Sequence, residues 1–311
     1  MSKKRRLIMR IYDLAKKISI KTSVDFKNVS KEILQLNILD VLSNYSELYK
    51  NIVFQGGTAL KLCYNLNRYS EDLDFTINKE GKRFVNKLFD ELPSKLKIDE
   101  KIETTFNSKG LMDIINVKVI PKDRIKSINV KIEFMEVPSY TKQFRIVEDK
   151  YSFGIKDLYI PTESLEEILA DKIVALGGRP LLDSMPFKSR DIWDIAWLSN
   201  NNIVLNSDLI SKKLDDYKIS KDDFLKTLHK RLEFANLEKG SMFYKNEMSR
   251  FIFGKALSLL HNDEFINSTF EAVKSLVHKT IKLLQENNLN KQDAFSDFLK
   301  NQSKKKKGPA L

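Results

Sequence analysis

The sequence predicts an α+β fold, with a mixed sheet between a helical lead and a helical C-terminal domain. Its 311 residues suffice for about two domains. Apolar residues recur near helical spacing in 5–48, short strand-like runs fill 51–137, and helical stripes continue from Pro161 to about 299. The expected divisions are a lead at 1–48, a core at 49–160, a helical domain at 161–300 and a basic tail at 301–311.

The expected core consists of short elements. In chain order we expect a strand at 51–54, a helix at 58–66, a strand at 72–77, a helix at 81–97, and strands at 102–106, 114–120 and 127–137. Lys109 and Gly110 stand where two of these strands would turn as a hairpin. Because hairpin neighbours run antiparallel, most strands of this sheet need no crossover connection.

The net charge of +12 is concentrated at the two ends of the chain. Residues 3–6 and 304–307 carry eight positive charges, and about +4 remains without them. Such basic ends attract phosphate backbones without sequence preference, although charge runs are also often solvated tails that only keep a protein soluble. We expect partial contact with a nucleic acid, and the solubilising tail is the alternative.

Several protein classes are excluded or disfavoured by composition. Cys63 is the single cysteine, so an intrachain disulfide and a cysteine zinc site cannot form. The three histidines all lie in the last third of the chain, which disfavours a histidine-cluster mechanism. Arg10 and Asp13 interrupt the first apolar run too early for a signal peptide, and no stretch approaches the roughly 18 apolar residues of a membrane span. We therefore expect a cytoplasmic protein without a membrane partner.

Asp72 and Asp74 are the first candidate site residues. Because side chains alternate along a strand, both carboxylates lie on one face, with Leu73 and Phe75 on the other. Two carboxylates at this spacing repel each other, and a divalent cation relieves the repulsion; aspartate oxygens suit Mg²⁺. The alternative is a polar edge strand whose acids are solvated.

Gly56, Gly57 and Thr58 lie between a predicted strand and a predicted helix. Glycine permits close approach of backbone to a phosphate, and a helix N-terminus favours an anion. Thr58 can cap the helix and donate its hydroxyl to a phosphate oxygen. Alone, this pattern favours an ordinary strand-to-helix turn; beside the aspartate pair it favours a nucleoside triphosphate site.

Glu133 is the third candidate carboxylate. It alternates with the apolar Ile132 and Phe134, so it points to the polar face of a strand that can neighbour the aspartates. There it can serve as general base for an acceptor hydroxyl or as ligand of a second metal. Glu136 has the opposite parity unless a bulge intervenes.

Two charges in the predicted helical domain occupy unusual positions. Ser164 and Glu167 form a capping box, and Lys172 then falls inside the apolar arc of the helix. Either its ammonium snorkels to water, or it faces a triphosphate at the cleft edge. Asp191 likewise shares a helix face with apolar residues and needs a partner, for which Lys172 and Arg190 are the candidates.

Five motifs carry a family resemblance. They are Gly-Gly-Thr-Ala-Leu at 56–60, Arg-x-Ser-x-Asp-x-Asp-Phe at 68–75, Lys-Ile-Glu at 131–133, Ala-Asp-Lys at 170–172 and Arg-Asp-x-x-Asp at 190–194. Together they resemble the AbiEii/AbiGii toxin family of nucleotidyltransferases, which belongs to the DNA polymerase β-like superfamily and includes the mycobacterial MenT toxins. The resemblance covers about residues 30–200 and implies a polymerase β-like nucleotidyltransferase core with a mixed sheet.

The resemblance also implies a role for each candidate residue. The matches are Gly57 and Thr58 to the triphosphate contact, Asp72 and Asp74 to the metal pair, Glu133 to the third acid, Lys172 to the lysine motif at the nucleotide, and Asp191 to the final aspartate motif. The departures are Thr58 for serine, Gln55 where lysine is common, and Glu133 for aspartate. At Thr58 and Glu133 a hydroxyl and a carboxylate remain available.

The implied function is Mg²⁺- or Mn²⁺-dependent transfer of a nucleoside monophosphate from an NTP to an acceptor hydroxyl. The acceptor would be RNA, with the 3′ end of tRNA as one candidate, and residues 205–300 would help to shape its site. The protein would be the toxin of a bacterial toxin–antitoxin or phage-defence pair, with a separately encoded antitoxin. The alternatives are nucleotidylation of a protein or small molecule, and a non-catalytic RNA- or nucleotide-binding protein, which the three acids disfavour.

Overall fold

The strands form one mixed sheet in this computed structural model, which describes residues 10–122, 126–149, 157–180, 187–235 and 238–305. The strands are β1 (Ile52–Gln55), β2 (Leu73–Ile77), β3 (Lys101–Lys109), β4 (Met112–Ile120), β5 (Ile128–Met135), β6 (Gln143–Val147) and β7 (Leu158–Thr162). Within the described part of the chain they form a seven-stranded sheet in the order β3-β4-β5-β2-β1-β7-β6.

Strand β2 occupies the centre of this sheet. It pairs antiparallel with β1 and parallel with β5, while β7 pairs parallel with β1 and antiparallel with β6. The predicted hairpin is confirmed, because β3 and β4 pair antiparallel on either side of Gly110. Gly110 has a φ of 61°, a conformation that glycine adopts without strain.

Helices precede, interrupt and follow the strands. They are α1 (Ile11–Thr22), α2 (Phe26–Ser43), α3 (Ser46–Tyr49), α4 (Gly56–Tyr64), α5 (Lys79–Lys82), α6 (Val85–Lys95), α7 (Leu165–Gly178), α8 (Ser189–Asn200), α9 (Ser207–Asp216), α10 (Lys221–Ala235), α11 (Glu238–Met248) and α12 (Asp263–Lys305), with a 3₁₀ segment at Gly254–His261. The predicted helical lead divides where Asp25 caps α2 by accepting from the backbone N–H groups of Lys27 and Asn28. Among the described helices, none combines the length and the apolar composition that crossing a membrane requires.

The apolar face of the sheet carries stacked aromatic rings on three adjacent strands. The ring centroids of Phe54 and Phe75 lie 5.0 Å apart, and those of Phe75 and Phe134 lie 5.5 Å apart. All three rings are buried, and α2 packs against β5. Because side chains alternate along a strand, burying this face turns Asp74 and Glu133 to the opposite face.

The structure differs from the sequence prediction at β6 and β7, which were not expected as strands. Phe144 and Ile146 of β6 are 62% and 48% exposed, so these two apolar residues face outwards, whereas Val147 is buried. Pro161, which donates no backbone hydrogen bond, lies within β7 near its end. The helix expected at 81–97 is also divided, into α5 and α6.

The two basic ends cannot be placed. Residues 3–6 and 306–311 lie outside the described residues, as do the side chains of 287–305. The expected contact between these ends and a nucleic acid therefore stays a prediction.

Candidate active site

Three predicted site carboxylates lie together on the polar face of the central strands. Asp74 of β2 pairs in register with Glu133 of β5 on one side and with Gln55 of β1 on the other. Asp72 immediately precedes β2, and the backbone N–H of Lys131 donates to its Oδ1 at 3.3 Å. Strand alternation and parallel pairing thus place the three carboxylates on one face.

Burial and neighbouring negative charges raise the pKa of Asp74 and of Glu133. Burial, followed by the charges of Glu133 and Asp72, raises the pKa of Asp74 to about 7, although Lys172 opposes the rise. Burial and then Asp72 also raise the pKa of Glu133. The ionised form of this group is therefore costly unless a cation approaches it.

The first turn of α4 lies directly against the carboxylates. Gly56 has a φ of 77°, and a Cβ at this position would lie 2.6 Å from Asp74 Oδ2. A Cβ at Gly57 would collide with the guanidinium of Arg68 and lie 3.1 Å from Ser70 Oγ. The two glycines therefore make room for side chains of the site, in addition to any phosphate that approaches the helix.

The expected capping role of Thr58 is wrong. The N-cap residue of α4 is Gln55, and its side chain makes no cap hydrogen bond. Thr58 is fully buried and its hydroxyl donates to the backbone carbonyl of Asp72, so it fixes the approach to β2. The first backbone N–H groups of α4, including that of Gly57, have no partner within the helix and can face an anion.

Arg68 and Asp194 form a buried ion pair that sequence reasoning missed. Arg68 Nε and Nη2 each donate to one oxygen of Asp194 at 2.6 Å, and both residues are almost completely inaccessible. Arg68 Nη1 also donates to the carbonyl of Tyr69 at 2.9 Å. The pair ties the segment before β2 to α8 across 126 residues of sequence.

Lys172 lies in the same cluster and does not snorkel to water. Its Nζ lies 3.1 Å from Asp191 Oδ1 and 2.9 Å from Asp194 Oδ2, with the side chain 13% exposed. Asp191 also accepts from Arg179, and its two cations hold its pKa far below the ordinary value despite burial. The expectation that Asp191 pairs with Lys172 is met, whereas the alternative partner, Arg190, instead lies 3.5 Å from Glu71.

The predicted capping box is half formed. Ser164 Oγ accepts from the backbone N–H of Glu167 at 3.3 Å. The Glu167 carboxylate accepts instead from the backbone N–H groups of Tyr140 and Thr141, at 2.9 and 2.5 Å. Glu167 therefore connects α7 to the segment before β6 rather than completing the cap.

A second group of three carboxylates surrounds Lys213 of α9. Lys213 Nζ lies 3.2 Å from Glu163, 2.7 Å from Glu167 and 3.1 Å from Asp171, and the lysine is fully buried. The oxygens of these acids lie within 4.8 Å of one another, a spacing that could hold a metal. The ammonium already fills that position, so we assign this group, the Lys213 cluster, to structure. Sequence reasoning missed Lys213, although it lies inside the apolar arc of its helix, as Lys172 does.

Two clefts meet at the Asp72 and Asp74 carboxylates. A cleft of 350 Å³ has Asp74, Gly56, Lys172 and Arg179 in its lining. A second cleft, of 530 Å³, lies over the sheet and is lined by Asp72 and by polar side chains of β3, β4 and β5. The carboxylates thus separate a cationic cleft at α4 and α7 from an open cleft on the sheet.

Lys188, just before α8, is a further cation close to Arg179 and Asp191 that the sequence did not indicate. Burial, then the charges of Arg179 and, more weakly, Arg190 and Lys172, lowers its pKa. Lys188 also acts on Glu133, whose pKa it lowers. Cations crowded at this distance repel one another, and a polyanion would relieve that repulsion.

Comparison with known proteins identifies the family. A family model described as the nucleotidyl transferase AbiEii toxin of a type IV toxin–antitoxin system matches residues 39–275. The chain belongs to the AbiEii family. The match includes all five motifs and confirms the resemblance that they carried. A search of curated proteins finds no relative.

Two solved structures share the fold of this AbiEii protein. A candidate nucleotidyltransferase of Helicobacter pylori has 20% identity and a TM-score of 0.51, over 84% of this chain and 99% of its own. The MenT4 nucleotidyltransferase toxin of Mycobacterium tuberculosis has 16% identity and a TM-score of 0.52, over 88% and 98%. These likenesses confirm the predicted α+β nucleotidyltransferase fold.

Membership of the AbiEii family settles the broad function. The protein is a nucleotidyltransferase of a toxin–antitoxin system, so a nucleotide is its donor and an antitoxin is its partner. The donor, the metal and the acceptor are narrower questions, which the geometry of the site addresses.

Proposed function

We propose that this AbiEii protein transfers a nucleoside monophosphate from an NTP to the 3′ hydroxyl of an RNA, in a reaction that requires Mg²⁺. Mn²⁺ would substitute for Mg²⁺, and the 3′ end of tRNA is the acceptor we propose within the RNA class. The observation that carries the proposal is the row of Asp74 and Glu133 on adjacent strands, directly against the glycine turn of α4.

The carboxylates fit a divalent cation. Asp72, Asp74 and Glu133 offer only oxygen ligands, which Mg²⁺ prefers, and the pKa of Asp74 is raised to about 7 by burial and like charges. Unlike the acids of the Lys213 cluster, none of these three forms an ion pair with a lysine or arginine of the described residues. When bound there, divalent cations supply charge neutralisation for the triphosphate and lower the pKa of the acceptor hydroxyl.

The triphosphate would lie in the 350 Å³ cleft. Gly56, the first residue of α4, lines it together with Lys172 and Arg179, and a helix N-terminus favours an anion. Three cations lie together beside this cleft but pair with only two acids, Asp191 and Asp194. The cations are Arg68, Lys172 and Arg179. This surplus of positive charge supports a phosphate contact by Lys172. Asp191 touches Lys172 and Arg179, so we assign it to positioning them.

Glu133 has two roles open to it. Its raised pKa makes it a better proton acceptor than an ordinary glutamate once it is ionised, which suits a general base for the acceptor hydroxyl. Its register beside Asp74 equally suits a ligand of a second metal. Glu133→Gln distinguishes the roles, since added metal restores transfer only where the residue is a ligand.

The cellular setting of the proposal is a bacterial cytoplasm, where NTPs and RNA are both present. Transfer of nucleotides to RNA 3′ ends would block their use in translation and arrest growth until a separately encoded antitoxin opposes the toxin. The same arrest would limit phage replication, which is the defence role that we propose.

The deciding experiment incubates the purified protein and Mg²⁺ with each of the four α-labelled NTPs in turn, together with total bacterial RNA. We expect label in RNA, at tRNA length, that ribonuclease removes. Label in protein or in a small molecule would contradict the RNA acceptor, and absence of label with all four NTPs would contradict catalysis. Omission of Mg²⁺ and addition of Mn²⁺ test the metal in the same assay.

A further inference from the structure

We infer that the RNA acceptor lies as a single strand across the polar face of β3, β4 and β5, with its 3′ end at Asp72. This inference rests on the proposed function, because it names the surface that would hold the proposed acceptor. It assigns the acceptor to the sheet, rather than to the helices after residue 205.

The register of the sheet aligns this face with the carboxylates. Asn116 of β4 lies between Thr105 of β3 and Lys131 of β5, and Lys131 immediately precedes the position paired with Leu73 of β2. The row formed by these side chains therefore leads to Asp72, with one strand spacing of about 4.8 Å between neighbours. A second row, Glu103, Lys118 and Asn129, runs beside it.

The face is open and its exposed residues are polar. Thr105, Lys118, Asn129 and Lys131 are all exposed, and no helix of the described residues covers them. Together with Asp72 and Glu103 they line the 530 Å³ cleft. Lysine, amide and hydroxyl groups suit the phosphates, sugars and base edges of a nucleic acid, whereas a stable protein interface needs an apolar centre.

The charge of the face complements a polyanion. Of the acids that line the cleft besides Asp72, Glu103 lies 2.7 Å from Lys101 Nζ and 3.7 Å from Lys118 Nζ, and Glu71 lies 2.8 Å from Lys31 Nζ. Lys131 has no ion-pair partner among the described residues, and its backbone, not its side chain, holds Asp72. Lys131 is thus available to a phosphate, and Lys118 is held only by the 3.7 Å contact with Glu103.

The geometry of the reaction also favours this cleft for the acceptor. The reacting hydroxyl must lie at the carboxylates, opposite the triphosphate, and the cleft on the Asp74 side is the one with Gly56 and Lys172. The cleft on the Asp72 side is the larger and continues onto the sheet. An RNA strand that leaves the site in that direction meets Lys131 first and Lys118 next.

The test measures RNA affinity without catalysis. The double variant Lys118→Gln/Lys131→Gln and the wild type are titrated, without NTP, against a fluorescent single-stranded RNA with a free 3′ hydroxyl, at several salt concentrations. We expect roughly 10- to 30-fold weaker binding at about 0.1 M salt and a log–log salt slope shallower by about 0.7 for each lost phosphate contact. Binding of NTP with Mg²⁺ is measured separately and should change much less than RNA binding, because Lys131 acts on Glu133 only through its charge.

The matched control is Lys87→Gln on α6, an exposed lysine on the helix whose Phe89 packs against Phe106 on the other face of the sheet. Its RNA affinity should equal that of the wild type. Unchanged affinity in the double variant, or equal losses in the control, would overturn the inference. Lys131→Glu, which reverses one charge, should weaken binding further than Lys131→Gln.

The labelling assay keeps this inference separate from the proposed function. If the wild type labels RNA but the double variant binds RNA as the wild type does, the sheet surface is wrong and the function stands. If label enters protein, and neither the double variant nor Lys87→Gln changes that transfer, then the RNA acceptor and the sheet surface are both wrong.

Discussion

Two groups of three carboxylates in the described part of the chain differ in how their charge is neutralised. Glu163, Glu167 and Asp171 enclose the ammonium of Lys213, which lies within 3.2 Å of all three. Asp72, Asp74 and Glu133 form no ion pair with a cation of the described residues, and the pKa of Asp74 is raised to about 7. The first group carries its own counter-ion; the second leaves that position to a ligand.

The difference separates a structural role from a functional one. A buried acid group with an internal lysine connects elements: here β7, α7 and α9 meet at Lys213. An acid group without one is destabilising until a metal or substrate arrives, and such costs are tolerated where function requires them. We therefore expect the two groups to respond oppositely to removal of charge.

The largest expected effect is on catalysis by Asp74→Asn. Transfer should fall by about 10³-fold or more, because a group that organises charge in the transition state is lost. Without divalent cations the variant should be more stable than the wild type, since one of three repelling charges is gone. Radiolabel transfer and thermal unfolding in chelator measure the two effects.

Glu163→Gln is the matched control for that prediction. Burial and the charge of Asp171 raise the pKa of Glu163 well above its ordinary value, so glutamine resembles its protonated form. Activity should stay within a few-fold of the wild type. An active Asp74→Asn enzyme, or an equal loss in Glu163→Gln, would show that the assignment of the two groups is wrong.

The next effect is on stability, in the other group. Lys213→Met leaves three buried carboxylates without their cation, and we expect a loss of about 3–5 kcal/mol in the free energy of unfolding. Lys212→Met, at the exposed neighbouring position, should change it by no more than about 0.5 kcal/mol. Urea unfolding compares the variants, and a Lys213→Met protein as stable as the wild type contradicts the structural role.

A smaller loss of stability is expected at Lys172, combined with a loss of nucleotide affinity. In Lys172→Met, Asp191 keeps Arg179 and Asp194 keeps Arg68, so the loss should be about 1–3 kcal/mol, below that of Lys213→Met. Nucleotide titration of the folded variant decides whether Lys172 contacts the triphosphate; unchanged affinity contradicts it.

Sequence reasoning located the carboxylates because their placement follows from a local rule. Strand alternation puts Asp72 and Asp74 on one face, and the same rule applies to Glu133 between Ile132 and Phe134. The family resemblance supplied what alternation cannot, namely that Glu133 is the third acid of the site.

The missed features depend on contacts between distant parts of the chain. Nothing near Arg68 indicates that it meets Asp194, and Thr58 turns towards the carbonyl of Asp72 only because the two elements pack together. Lys213 is different, because the rule that selected Lys172, a lysine inside an apolar arc, would have selected it too. The strand β6 was not predicted, because apolar residues such as Phe144 face outwards in it.

The smallest effect concerns the dependence of stability on pH and Mg²⁺. The pKa of Asp74 in the folded protein, about 7, lies above its ordinary value of 3.8, so the folded state binds this proton more tightly than the unfolded state. Its contribution to stability is therefore complete below about pH 4 and is lost as the pH rises through about 7. Mg²⁺ competes with that proton, so its stabilising effect should grow over the same interval.

We expect Mg²⁺ at 100 times its dissociation constant to stabilise the wild type by about 2.7 kcal/mol. The effect should be clear at about pH 8 and weaker at about pH 6, where Asp74 holds its proton. Asp74→Asn should abolish it, whereas Glu163→Gln should retain it, because Lys213 and not a metal neutralises that group. Thermal unfolding at both pH values, with and without Mg²⁺, measures this. Stabilisation lost in Glu163→Gln but kept in Asp74→Asn would place the metal in the wrong group of acids.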